Sequence, residues 1–261
     1  MRRGILRRVA AGLVSAMAVT TAAHAATDDT DLAAIHAKLR VVAAPWCGKL
    51  ADFDAQGTRV CTIRTEPLDA AGVTNAFALF SGTFVTREMQ ARLSRDELAM
   101  VLGHEFAHLV LAHGYVRLQR QREGQAGRYD DGLLGLLQTN HPTPHDDTPR
   151  DERQQELDAD TLGLVFAGLA GYDIRGAVAF WRDAHRRLPA LATQGRKTHP
   201  SAAVRLRNAR AAVAQFCGAV AAGKPPLPRL ERLQPAYEAS RDEVATVADR
   251  ATLDAACGRT R

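Results

Sequence analysis

The sequence predicts an α+β fold that is mainly α, with a small β-sheet or hairpin placed before a long buried helix. Three observations point there. Residues 95–112 carry apolar side chains at helical spacing around a polar triplet. A second strong helical run starts at Arg150. Between the N-terminal region and the first of these helices, two short β-prone runs, 75–80 and 83–86, flank a Ser81-Gly82 turn.

Composition bounds the reading. A chain of 261 residues, 46% hydrophobic and 24% charged, is an ordinary globular sequence with enough apolar surface for a sizeable core. The net charge of +5 is uneven, because Arg2, Arg3, Arg7 and Arg8 all lie in the first eight residues and removing them leaves +1. No basic patch interleaved with aromatics stands out elsewhere, so neither nucleic acid nor an anionic lipid surface is expected as a partner. The opening residues instead have the order of an export signal: a basic start, an apolar run from Val9 to Ala23, and Ala23-His24-Ala25 as a cleavage site. Residues 1–25 are therefore expected to be a signal peptide. The mature protein should be soluble and periplasmic or otherwise exported, with no integral membrane segment, since no later stretch gives the roughly 18 unbroken apolar residues of a spanning helix.

In chain order, residues 29–40 predict a short helix, with Ile35 and Leu39 one turn apart. Residues 41–68 hold Pro45, Cys47, Cys61 and a Gly57 turn, then the β-rich run 59–64. The hairpin at 75–86 follows. Ser94-Arg95-Asp96-Glu97 has capping-box spacing, which starts the next helix at Arg95 and carries it beyond Ala112. Residues 120–150 are polar and turn-rich around an apolar piece at 133–137, as in a loop or lid. His141 and His145 sit there at ligand-like spacing, but Pro142 and Pro144 forbid a regular helix. The helix from Arg150 has an apolar side of Leu157, Leu162, Val165 and Phe166, and Gly171 suits its stop. After the Pro225-Pro226-Leu227-Pro228 break, residues 241–257 read as one more helix. The layout expected is a domain over 26–222 and a helical tail over 223–261.

The chemistry is concentrated in His104-Glu105-Phe106-Ala107-His108. Two imidazoles four residues apart lie on one helical face and can bind a single zinc, while Glu105, one step round, reaches water at the metal. A catalytic zinc needs one more protein ligand and an open position. Glu156 on the next long helix can supply the ligand, and Asp160, one turn further, can accept the second N–H of a ligand imidazole. Zinc rather than another divalent metal follows from the ligand types. His113, nine residues from His104, projects to the opposite side of a continued helix, so it was not expected to share that metal and is read as facing core or solvent. His36 and His185 have no constellation around them, and Trp46 and Trp181 read as core residues.

Four cysteines agree with an oxidising compartment and allow three pairings. Cys47–Cys61 and Cys217–Cys257 are favoured as the pairs nearest in sequence. Zinc binding by these cysteines is the rival, but no C-x-x-C spacing exists.

Between residues 60 and 208 the chain resembles the gluzincin metalloproteases typified by the CAAX prenyl protease and the bacterial membrane protease HtpX, in particular their soluble periplasmic relatives. The resemblance rests on four motifs in order: Asn75-Ala76-Phe77-Ala78 before a Gly-containing turn, Asp96-Glu97-Leu98-Ala99 leading into His104-Glu105-x-x-His108, Glu156-x-x-x-Asp160, and His199-Pro200 with Arg205. It implies a zincin-like fold. It further implies one zinc held by His104, His108 and Glu156, with Glu105 as catalytic base and Asp160 behind the ligands. Asn75 and Ala76 would lie on the edge strand that aligns substrate backbone. Unlike the integral-membrane members, this sequence has no spanning helices, and no tetratricopeptide-like array follows the domain. His199 is the candidate donor to the developing oxyanion; its rival roles are an inhibitory fourth zinc ligand and a plain helix-entry residue before Pro200 at the first helical position. Arg205 is expected to pair with a buried acid. The leading expectation is a zinc endopeptidase acting on unfolded or misassembled envelope proteins. The competing one is a latent or silent zinc-containing module that holds such proteins, disfavoured because Glu105 has no duty in a purely structural zinc site.

Overall fold

The computed structural model describes residues 27–46, 64–79, 82–111, 113, 148–188, 199–227, 243–244 and 246–258. Helix α1, Asp29–Ala43, starts where the Asp28 carboxylate accepts from the Asp31 N–H, and it buries Leu32, Ile35, Leu39 and Val42. The last two turns of that stripe carry the helix three residues past the expected end. A single 3₁₀ turn, Ala44–Trp46, follows.

The small sheet consists of β1, Arg64–Leu68, β2, Ala76–Leu79, and β3, Gly82–Thr86, in the order β1-β3-β2. The β2–β3 pair is antiparallel, as the Gly-containing turn requires, with Phe77 opposite Phe84 and their rings stacked at 5.2 Å. β1 adds to the other side of β3 in parallel, with Thr65 opposite Thr83. The β-rich run 59–64 enters this sheet only through Arg64, since residues 59–63 lie outside the described residues. On the inner face, the Thr65 hydroxyl stands 2.6 Å from both the Thr83 hydroxyl and His36 Nδ1, tying the sheet to α1. His36 also sets its ring edge against Phe106, 5.4 Å between centroids, so it has a packing role that its isolation in sequence did not suggest.

A one-turn helix, α2, Arg87–Gln90, leads to α3, Arg95–Val110. Both bonds of the expected capping box are made: the Glu97 N–H donates to Ser94 Oγ, and the Ser94 N–H donates to the Glu97 carboxylate at 2.9 Å. Arg187 ion-pairs with the same carboxylate and anchors this helix start to the helix Arg175–Arg187. α3 is buried on nearly every side, lying between α1 and the sheet on one hand and the helix Thr148–Leu169 on the other. It stops at Val110, short of the expected end beyond Ala112, with Leu111 as its cap.

The second long helix, α4, Thr148–Leu169, ends as expected at Gly171, whose φ of +84° only glycine adopts freely. The Gly171 N–H reaches Gly168 O and the Tyr172 N–H reaches Ala167 O, each at 3.0 Å, which is a Schellman cap. Then come α5, Arg175–Arg187, α6, Ala202–Ala221, and α7, Arg250–Ala256. Ser201 caps α6, so Pro200 stands outside the helix rather than at its first position. The tail helix is shorter than the expected 241–257, because Asp249 caps a new start by accepting from the Thr252 N–H at 2.8 Å. Cys217 and Cys257 form a disulfide that fixes this short helix to α6. Cys47, Cys61, His141, His145, the 120–147 stretch and the 1–25 segment lie outside the described residues, as do the side chains of Trp46 and His185. Among the described residues, no helix is long and apolar enough to cross a membrane.

Candidate metal centre

Two helices must approach closely for residues on each to share one ion, and two glycines make that possible. A side-chain carbon on Gly103 of α3 would stand 2.4 Å from the Gly163 carbonyl of α4, and one on Gly163 would stand 2.4 Å from the His104 nitrogen. The two backbones therefore touch immediately beside His104. One and two turns back along α4 from this crossing stand Asp160 and Glu156. The sequence holds a hint of it, since glycine inside a helix costs about 1 kcal/mol relative to alanine and needs a packing reason.

Around the crossing, His104 Nε2 lies 2.9 Å from His108 Nε2, and the Glu156 oxygens lie 3.5 Å and 3.4 Å from those two atoms. One donor atom from each residue falls within 4.8 Å of the others. Tetrahedral zinc with bonds of 2.0–2.2 Å spaces its ligand atoms about 3.3–3.6 Å apart, so two of the three separations already match and the third is close. The donor set therefore fits a single zinc. Glu105, on the same turn of α3, is buried at 7% exposure.

Behind the ligands runs a charged relay. Asp160 Oδ1 is 3.0 Å from His104 Nδ1, the ring nitrogen turned away from Glu156. Arg205 of α6 holds the same carboxylate with two donors, Nε at 2.7 Å and Nη2 at 2.5 Å, and its Nη1 is 3.6 Å from Glu156. Its guanidinium lies 3.9 Å above the Trp181 ring. Burial works against charge on His104, but hydrogen bonds to Asp160 and Glu156 prevail and push it up to about 10. Burial likewise opposes charge on Glu156, yet the two histidines hold its carboxyl well below the usual range. Asp160 is held low against burial, chiefly by Arg205, which is itself held high by Asp160, Glu156 and Glu105. This network is the buried ion pair that Arg205 suggested in sequence.

His199 stands at the rim, with its side chain 44% exposed and Nε2 3.6 Å from Glu156 Oε1. Burial pushes its imidazole down from the ordinary value, against the pull of Glu156. His113 is buried, in keeping with a core position, and does not join the three converging donors. Its Nδ1 lies 2.8 Å from His108 Nδ1, a contact that the helical projection does not show because α3 ends at Val110.

The sheet packs against α3 through β2. Thr86 engages Asn75 on both sides: its N–H donates to the Asn75 carbonyl at 2.9 Å, and its hydroxyl oxygen lies 3.0 Å from the Asn75 nitrogen. In an antiparallel ladder the bonding direction alternates, so the Ala76 and Ala78 peptide groups point away from β3, toward the edge. Among the described residues, no strand lies on that outer side.

No curated protein and no solved structure matches the chain. A family match does cover residues 47–135 and 151–213, more than half of the sequence and both helices that carry the converging ligands. On that match the chain belongs to Peptidase family M48, the gluzincin metalloprotease family that contains the CAAX protease and HtpX.

Proposed function

We propose that the chain is a zinc endopeptidase of the bacterial cell envelope that hydrolyses peptide bonds in unfolded or misassembled exported proteins. The observation that carries this reading is the convergence of His104 Nε2, His108 Nε2 and a Glu156 oxygen within 4.8 Å, with Glu105 on the same helical turn. Zinc bound there supplies a Lewis acid that lowers the pKa of water toward neutrality and polarises the scissile carbonyl. Glu105 then takes the proton of the attacking water and delivers it to the leaving amine nitrogen. Asp160 accepts the Nδ1–H of His104 and fixes that ring. Arg205 balances the two carboxylates, so the buried centre need not carry both charges alone. His199 donates to the carbonyl oxygen as it gains negative charge.

The outward peptide groups of Ala76 and Ala78 support an extended substrate docked along β2, with Asn75 leading into that edge. Such docking reads backbone rather than sequence and needs an unfolded stretch of polypeptide. The signal-like opening and the Cys217–Cys257 bridge support export to an oxidising compartment, hence the periplasm. A latent state is the second reading, favoured by His199 Nε2 lying 3.6 Å from Glu156 Oε1.

Incubation of the purified chain and its Glu105→Gln variant with an unfolded polypeptide tests the proposal. The variant should retain zinc while cutting falls by about 10²–10⁴-fold. Equal cutting by both proteins contradicts the role of Glu105, and zinc-loaded protein that cuts nothing points to the latent form. In that assay His199→Ala lowers turnover if His199 is a donor and raises it if His199 is an inhibitory ligand.

A further inference from the structure

We propose that His113 is a positioning residue of the metal centre: its Nδ1 accepts the Nδ1–H of His108 and holds His108 in the tautomer whose Nε2 offers its lone pair to zinc. The inference rests on the zinc reading above and goes beyond it by assigning a residue outside the HExxH motif. His108 has two ring nitrogens with separate duties. Nε2 faces His104 Nε2 at 2.9 Å and Glu156 at 3.4 Å, and Nδ1 faces His113 Nδ1 at 2.8 Å. A neutral imidazole carries its proton on one nitrogen only, so a ligand Nε2 requires the proton on Nδ1. His113 Nδ1 must then be the acceptor, with the His113 proton on its own Nε2.

The two rings meet edge to face, 4.9 Å between centroids and 72° between planes, and His113 is 8% exposed. Little water competes for that contact. The arrangement parallels the one at the other ligand, where Asp160 stands 3.0 Å from His104 Nδ1. Each ligand imidazole thus has its rear nitrogen engaged, one by a carboxylate and one by an imidazole. A second carboxylate behind His108 would add another negative charge to a buried place that already holds Glu156, Asp160 and Glu105. A neutral acceptor orients the ring without that cost. His113 lies beyond the end of α3 at Val110, so the projection of one continuous helix does not place it.

Zinc affinity, measured by competition with a chromophoric chelator, separates positioning from space filling when His113→Leu and His113→Asn are compared with the parent chain. Leucine keeps bulk and removes the acceptor, whereas asparagine puts an oxygen near the place of Nδ1. The leucine variant should bind zinc about 10–100-fold more weakly, and the asparagine variant should stay close to the parent. Long-range proton–nitrogen spectra of the zinc-loaded parent should place a proton on His108 Nδ1 and on His113 Nε2. Unchanged affinity in the leucine variant, equal loss in both variants, or a proton on His113 Nδ1 would overturn the assignment. If the leucine variant fails to fold, the spectrum of the parent decides alone. A parent that takes up no zinc overturns the metal reading and this inference together, an outcome distinct from losses confined to the variants.

Discussion

Asp160 serves two neighbours at once, accepting from His104 on one side and from Arg205 on the other. Replacing it by asparagine keeps the shape but removes the charge that both partners meet in a buried place. Breaking such a pair costs about 3–5 kcal/mol, because the buried guanidinium loses its closest carboxylate and keeps a longer contact to Glu156. Asp160→Asn should therefore lower the unfolding midpoint and weaken zinc binding by about 10–100-fold, read by calorimetry and chelator competition. Unchanged zinc affinity would mean that Asp160 does not orient His104. At this scale the sequence was informative wherever regular helical geometry held. The spacing of His104 with His108, and of Glu156 with Asp160, fixed which residues share a face before any fold was known. It did not show the contact of His113 with His108, because the projection assumes one continuous helix and α3 stops at Val110.

The crossing of α3 and α4 is the element on which the centre depends. Gly103 and Gly163 stand where a methyl group would press into the facing backbone at 2.4 Å. Gly163→Ala should force the helices apart at a cost of about 1–3 kcal/mol and weaken zinc binding, since His104 lies at the contact. Gly218 of α6 is the control, with nothing within 4 Å of the added carbon. There alanine should be neutral or stabilise by up to about 1 kcal/mol and leave zinc binding alone. Equal behaviour of the two variants would contradict the close approach. The sequence marked both long helices and the β2–β3 hairpin through periodicity and turn chemistry. It did not show that β1 joins in parallel across β3, or that the glycines meet, because both are properties of segments distant in the chain.

For the whole molecule, the Cys217–Cys257 bridge closes a loop across 40 residues and binds the tail helix to α6, away from the converging ligands. By the loop-entropy account this is worth about 3–4 kcal/mol. A Cys217→Ser, Cys257→Ser double variant should unfold at lower denaturant while binding zinc with the parent's affinity. Loss of zinc in that variant would show that the tail supports the centre directly. The pairing itself is legible, as the nearest partners in sequence, whereas the tail helix is shorter than its apolar pattern suggests because Asp249 caps a start at Arg250.

We infer that α3 and α4 together hold one zinc through two imidazoles and a carboxylate, and X-ray absorption at the zinc edge of the purified, zinc-loaded chain reads those neighbours. One zinc per chain is expected, with two nitrogen neighbours and carboxylate or water oxygen at about 2.0–2.2 Å and no sulfur. Sulfur at about 2.3 Å, or a Glu156→Gln variant that keeps the parent's zinc affinity, would contradict it.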